Sequence, residues 1–141
     1  ACELGDAGAT ALSEPLSCLT GLKSLFLGEN IITPTGCQPL TSSISSLAPY
    51  SNLQQLYLNF NPLGYIGLRM VAGTFNDIPW TCLGLRGVGL VQDMLEGILA
   101  ESFAALTSIQ YLDLLDNRLD RDSRALQPLF LAAPRSARLH F

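Results

Sequence analysis

The sequence has no hydrophobic run long enough to cross a bilayer and no excess of basic residues. Its longest apolar stretch, residues 89–106, is interrupted by Asp93, Glu96 and Glu101, whereas a membrane helix needs about 20 predominantly apolar residues. Eight Lys and Arg against twelve Asp and Glu give a net charge of −4, and no basic stripe could follow a phosphate backbone. We therefore expect a soluble chain that binds neither membranes nor nucleic acids.

Groups typical of catalytic sites are equally scarce. The one histidine, His140, lies near the end of the chain. No Ser or Cys has a nearby base in register that could activate it as a nucleophile. No glycine-rich phosphate loop follows a predicted strand. The pair Asp113 and Asp116 falls in a predicted turn, without a sign of the environment that acid–base catalysis requires. We predict a structural role for His140, no enzymatic activity, and no metal or other cofactor.

The cysteines are few and scattered. Cys2, Cys18, Cys37 and Cys82 form no C-x-x-C pair, so neither a zinc site nor a redox pair is indicated. They also lack the crowding that marks the disulfide framework of a small secreted domain. We predict buried thiols in a reducing compartment, hence an intracellular protein, cytoplasmic or cytoskeletal.

What the sequence does have is apolar material in a repeated order. With 141 residues, 48% of them hydrophobic, the chain can bury one core but is short for two domains, so we treat 1–141 as a single domain. The phrase L-x-x-L-x-L-x-x-N, or a close variant of it, recurs four times, at residues 22–30, 53–61, 80–88 and 109–117. Only the third copy lacks the final Asn, because Val88 stands there. Each phrase predicts a strand whose alternate residues are buried.

A second pattern follows each phrase. An apolar residue comes two positions after the Asn, and apolar residues at the tenth and fourteenth positions form a stripe of helical period in the first two repeats. Extended backwards, the same offsets place Cys2 at an Asn position. Residues 135–141 suit a further strand, with Leu139 and Phe141 at its leucine positions. The sequence predicts about five strand–helix repeats, and we expect the chain to be cut within a repeat at both ends.

This pattern resembles the ribonuclease-inhibitor-like subfamily of leucine-rich repeats. The family phrase N-x-L-G-D-x-G-A-x-x-L is echoed by residues 2–12, CELGDAGATAL. The resemblance implies an α/β solenoid, a right-handed horseshoe with parallel strands on the concave face and helices on the convex face. A fold family does not by itself settle function.

Departures from the repeat predict local irregularity. Val88 cannot make the hydrogen bonds of an Asn side chain, so we expect an irregular turn there, helped by Gly87 and Gly89. Prolines fall within or at the ends of the predicted helices, at positions 15, 39 and 128. Since proline removes a backbone hydrogen bond, these helices are expected to be short or kinked.

Function should lie in the exposed positions of the strands and turns, because the leucines are committed to the core. Clustered exposed aromatic residues and Arg are common at the centres of interfaces, and acidic residues would attract a basic partner. A set of such residues is therefore the candidate partner-binding site: Phe26, Glu29, Tyr57, Phe60, Arg86, Tyr111, Asp113 and Asp116. The alternatives are that Phe26 and Phe60 are partly covered by neighbours and unimportant for binding, and that the acidic residues are an ordinary solvated surface.

Three functions fit this pattern. The first is an intracellular scaffold or adaptor that binds a protein on the concave face. The second is a GTPase-activating regulator, because the Ran GTPase-activating proteins look like this repeat subfamily and Arg86 is the one arginine of the predicted concave face. The third is an architectural subunit of a larger complex, which would contact its neighbours through helices and edges.

Overall fold

Strands and helices alternate along the chain. The computed structural model describes residues 2–95, 98–120 and 122–141. The strands in this part of the chain are β1 Ser24–Phe26, β2 Gln55–Tyr57, β3 Cys82–Gly84, β4 Tyr111–Asp113 and β5 Arg138–His140. The helices are α1 Gly5–Leu16, α2 Pro34–Leu47, α3 Gly64–Ala72, α4 Ile98–Phe103 and α5 Gln127–Ala132. Short 3₁₀ helices lie at Ala48–Tyr50, Gln92–Leu95 and Arg124–Leu126.

The strands form one parallel sheet in sequence order, β1-β2-β3-β4-β5. Its register is the one that the leucine spacing predicts, because a single row of paired residues runs across it: Leu25, Leu56, Leu83, Leu112 and Leu139. The α/β class and the parallel strands are therefore confirmed. The further strand expected within residues 135–141 is β5.

The core lies between the sheet and the helices. Leu56, Leu83 and Leu112 are almost fully buried in one apolar cluster with Leu40 of α2 and Val71 of α3. Successive helices pack against one another, α1 on α2, α2 on α3, α3 on α4 and α4 on α5. Full burial of one such side chain contributes about 1.5–3 kcal/mol, so neither strands nor helices would be stable without the other.

Asparagine side chains tie neighbouring turns together. The Asn61 Oδ1 accepts hydrogen bonds from the backbone N–H of Asn30 (3.1 Å) and Ile32 (2.9 Å). Its Nδ2 donates to the carbonyl oxygens of Leu27 (2.7 Å) and Leu58 (2.9 Å). One buried side chain therefore satisfies backbone groups of its own turn and of the preceding one, which would otherwise be costly to bury.

The same arrangement recurs at the turns before and after. The Asn30 Oδ1 accepts from the N–H of Cys2 (3.2 Å) and Leu4 (3.4 Å), and the Asn117 Oδ1 accepts from Val88 and Leu90 at 3.1 Å each. Cys2 and Val88 therefore occupy the Asn position of their own turns, as their place in the sequence pattern predicts.

The turn at Val88 is less irregular than expected. Gly87 has φ +60°, which matches φ 58° at Glu29, 56° at Phe60 and 56° at Asp116, the residues that precede the Asn position in the other turns. The prediction of a different path is therefore wrong at Gly87. Because Val88 has no amide side chain, the preceding turn lacks the acceptor that an Asn would provide. In that turn the Leu63 N–H donates instead to the carbonyl of Asn61 (2.8 Å).

The three prolines lie within or at the ends of helices, as the sequence predicts. Helix α2 extends over 14 residues and passes through Pro39, so the expectation of a short helix is wrong there. Pro15 lies in the last turn of α1, and Pro128 lies in the first turn of α5, where a missing N–H costs no helical hydrogen bond. Helix α5 is short, with 6 residues.

Candidate binding face

The face of the sheet opposite the buried leucines is here called the open face. It carries four of the candidate residues, Phe26, Tyr57, Tyr111 and Asp113. The other four, Glu29, Phe60, Arg86 and Asp116, lie in the turns that follow the strands. Because side chains alternate along a strand, this face is built from two rows of paired residues. One row contains Phe26, Tyr57, Gly84, Asp113 and His140. The neighbouring row contains Ser24, Gln55, Cys82, Tyr111 and Arg138.

Phe26 and Tyr57 form a stacked aromatic pair on the open face. Their ring centroids lie 4.5 Å apart with an interplanar angle of 3°. Gly84 makes room for this pair, since a Cβ atom there would lie 2.6 Å from Cδ1 of Tyr57. Tyr57 covers one side of the Phe26 ring, as the alternative of partial cover by neighbours expects, and Phe26 still remains 67% exposed. Exposed clustered apolar rings are typical of protein-binding surfaces.

Phe60, Arg86 and Asp116 form a second group. The Arg86 Nε lies 2.7 Å from Oδ2 of Asp116, and this ion pair raises the pKa of the Arg86 guanidinium. The Arg86 Cζ lies 5.6 Å from the centroid of the Phe60 ring, within the range of a cation–π contact. Arg86 is thus already engaged by two neighbours, while the Phe60 ring remains 46% exposed.

Tyr111 and Asp113 bond to each other. The Tyr111 hydroxyl donates to Oδ2 of Asp113 (3.3 Å), and the N–H of Leu115 donates to Oδ1 (3.0 Å). Asp113 is only 7% exposed, so its prediction as an exposed acidic contact is wrong. Burial, with the neighbouring Asp113 carboxylate, raises the pKa of Tyr111.

Two residues of β5 were not included in the predicted site. Arg138 pairs with Tyr111 and His140 pairs with Asp113 in the sheet register, which puts both on the open face. The His140 ring lies 5.3 Å from the Tyr111 ring. Arg86 is therefore not the only arginine of this face. Extending the strand pattern to residues 138–140 with the same alternation would have identified both residues.

The cysteine predictions hold only in part. All four thiols are free, but Cys2 and Cys18 are exposed and Cys82 is half-buried, so burial is confirmed for Cys37 alone. Burial raises the pKa of the Cys37 thiol to about 12.

On the open face, partial burial and the adjacent Cys82 thiol raise the pKa of Tyr57 to about 12, so its hydroxyl stays protonated at neutral pH.

A concavity of ≈ 460 Å³ opens beside the stacked pair. We call it the aromatic concavity, and it is lined by Cys2, Phe26, Gly28, Glu29, Asn30, Tyr57, Asn59 and Phe60. Four of the eight predicted residues thus share one depression, and Phe60 connects it to Arg86 and Asp116. Tyr111 and Asp113 lie separately, on β4.

The described residues contain no group of three or more His, Cys, Asp or Glu side chains that could hold a metal ion. Within the same residues, no helix has the length and apolar character needed to cross a membrane. Compared with known protein families and with curated proteins, the chain shows no match.

Proposed function

We propose that this chain is a protein-binding module of the leucine-rich repeat type, a scaffold or adaptor whose open face is the concave face of a solenoid. Three features support the repeat architecture. The strands share one register across the sheet, the helices pack in sequence order, and Asn30, Asn61 and Asn117 each bridge their own turn to the one before.

The exposed stack of Phe26 on Tyr57 is the observation that carries the binding function. A Phe side chain moved from water into an interface contributes about 1.5–3 kcal/mol, yet Phe26 remains 67% exposed on the sheet. The two rings restrain each other, since they stack at 4.5 Å. Little side-chain entropy would then be lost when a partner covers them.

A protein partner would extend beyond the strands of the open face. Five parallel strands about 4.8 Å apart make a sheet about 19 Å wide. A standard interface covers about 800 Å² on each partner, or roughly 28 Å square. A partner of that kind would therefore also contact the turns that carry Glu29, Phe60 and Asp116. We place this binding inside the cell, because four free thiols suit a reducing compartment.

Site-specific photo-cross-linking tests the proposal. A photoreactive phenylalanine derivative is introduced at Phe26, and at Ile66 of α3 in a control protein. Both positions carry exposed apolar side chains, 67% and 59% exposed, but Ile66 lies on the helix side. We expect one stoichiometric partner to cross-link from position 26 and not from position 66. Cross-linking of that partner from position 66 alone would contradict the proposal.

A further inference from the structure

Arg86 shows how this surface holds a guanidinium group. Its side chain lies over the Phe60 ring, with Cζ 5.6 Å from the centroid, and pairs with Asp116 at 2.7 Å. An aromatic ring and a carboxylate thus act on one cation. The arrangement suits arginine, since a planar and weakly hydrated guanidinium stacks on rings better than an ammonium group does.

Glu29 provides a second carboxylate at the equivalent position of an earlier turn. Glu29, Phe60 and Asp116 each precede the Asn position and share φ values of 58°, 56° and 56°. The Glu29 N–H donates to the carbonyl of Asn59 (2.8 Å), so Glu29 lies directly beside the Phe60 turn. Since the Phe60 N–H in turn donates to the carbonyl of Arg86 (2.7 Å), the Phe60 turn lies between the turns of Glu29 and Arg86.

The Glu29 carboxylate has no ion-pair partner among the described residues. Its side chain is exposed, and among the described residues the one ion pair is that of Arg86 with Asp116. Glu29 lines the aromatic concavity together with Phe26, Tyr57 and Phe60. The concavity therefore combines exposed rings with an unpaired negative charge.

The residues that line the concavity favour a positively charged partner side chain over a negatively charged one. The described lining of the concavity contains no Lys or Arg, and the neighbouring Arg86 is paired with Asp116. An acidic group would therefore meet the Glu29 carboxylate without a free cation among the described lining residues. Its volume of ≈ 460 Å³ lies within the range of about 300–1,000 Å³ that is usual for ligand-binding clefts. Because the concavity is open to solvent on the face that carries the stacked pair, a side chain on a partner protein can reach it.

We propose that the aromatic concavity binds an arginine side chain of the partner protein. The guanidinium stacks on the exposed rings of Phe26 and Phe60 and pairs with the carboxylate of Glu29, in the way that Phe60 and Asp116 hold Arg86. This assignment rests on the proposed function of the open face and specifies the chemistry of its partner.

Two matched peptides test the assignment. Acetyl-Gly-Ser-Arg-Ser-Gly-amide and its citrulline counterpart differ by the charge of one side chain, and each is titrated into the whole chain while NMR records the backbone amides of Glu29 and Phe60. We expect saturable shifts with the arginine peptide, at least about fivefold weaker binding of the citrulline peptide, and weaker binding of a lysine counterpart. Equal binding of all three peptides would overturn the assignment.

Variants locate the binding. Glu29→Gln keeps the size of the side chain and removes its charge, so we expect about fivefold weaker binding of the arginine peptide. Glu14→Gln makes the same change at an exposed carboxylate of α1 and should leave the affinity unchanged. Equal affinity of the Glu29→Gln variant and the unmodified chain would overturn the assignment. If the arginine peptide fails to bind while position 26 still cross-links a partner, the arginine assignment is wrong and the open-face proposal stands.

Discussion

Gly36 lies so close to Asp6 that a Cβ atom at position 36 would come within 2.5 Å of the Asp6 Oδ1 and 2.8 Å of its Cα. This contact joins the beginning of α2 to α1. The Asp6 Oδ1 accepts hydrogen bonds from the N–H groups of Thr33 (2.8 Å) and Gly36 (3.1 Å), and Oδ2 accepts from the Thr33 hydroxyl (2.7 Å). A carboxylate of one repeat therefore caps the helix of the next.

The first prediction concerns Gly36→Ala. The added methyl group would displace the Asp6 carboxylate and backbone, so we expect a loss of about 1–3 kcal/mol in the free energy of unfolding, measured by urea denaturation. Gly21→Ala is the matched control, because a Cβ atom there meets no atom within 4 Å. A Gly36→Ala variant as stable as the Gly21→Ala variant would show that α1 and α2 are not this closely packed.

The second prediction concerns the pH dependence of stability. The hydroxyl and N–H of Thr33 lower the pKa of Asp6 below its ordinary value of 3.8. A carboxyl group with a lowered folded-state pKa stabilises the fold above its unfolded pKa, and this contribution is lost as the pH falls through the folded-state value. The stability difference between the unmodified chain and Asp6→Asn should therefore be constant near neutral pH and shrink below about pH 4. A difference that does not change with pH would contradict the capping role of Asp6.

The third prediction concerns Asn61→Ala. Asn61 is fully buried, and its removal leaves the N–H groups of Asn30 and Ile32 without their acceptor. We expect a loss of about 3 kcal/mol in the free energy of unfolding. Asn76→Ala, at an exposed asparagine in the turn region after α3, should change it by less than about 0.5 kcal/mol. Equal stability of the two variants in calorimetric melting would rule out the bridging role of Asn61.

The sequence predicts the sheet well because its signal is repeated and local. The leucine spacing places Leu25, Leu56, Leu83 and Leu112 in one row, and the sheet pairs them in that row. The passage of α2 through Pro39 could not be predicted in the same way. It depends on the packing of α2 between α1 and α3, and tertiary packing overrides local helix preferences.

The sequence predicts only part of the open face. Strand alternation correctly places Phe26 and Tyr57 on the open face. The burial of Asp113 depends on the Tyr111 hydroxyl and the N–H of Leu115, and the pairing of Arg86 with Asp116 joins residues that are 30 positions apart. Such contacts form between side chains of neighbouring turns, so they cannot be predicted from the pattern within one repeat.

The affinity of the cross-linked partner for the Tyr57→Ala variant tests the central claim most directly. Tyr57 supports the exposed ring of Phe26 from the same face, so we predict that Tyr57→Ala weakens binding about tenfold or more while thermal unfolding remains cooperative. Calorimetric titration of the purified partner measures this, with Ile66→Ala of α3 as the control that should bind normally. Unchanged affinity of Tyr57→Ala together with weakened binding of Ile66→Ala would place the interface on the helices and contradict the open-face account.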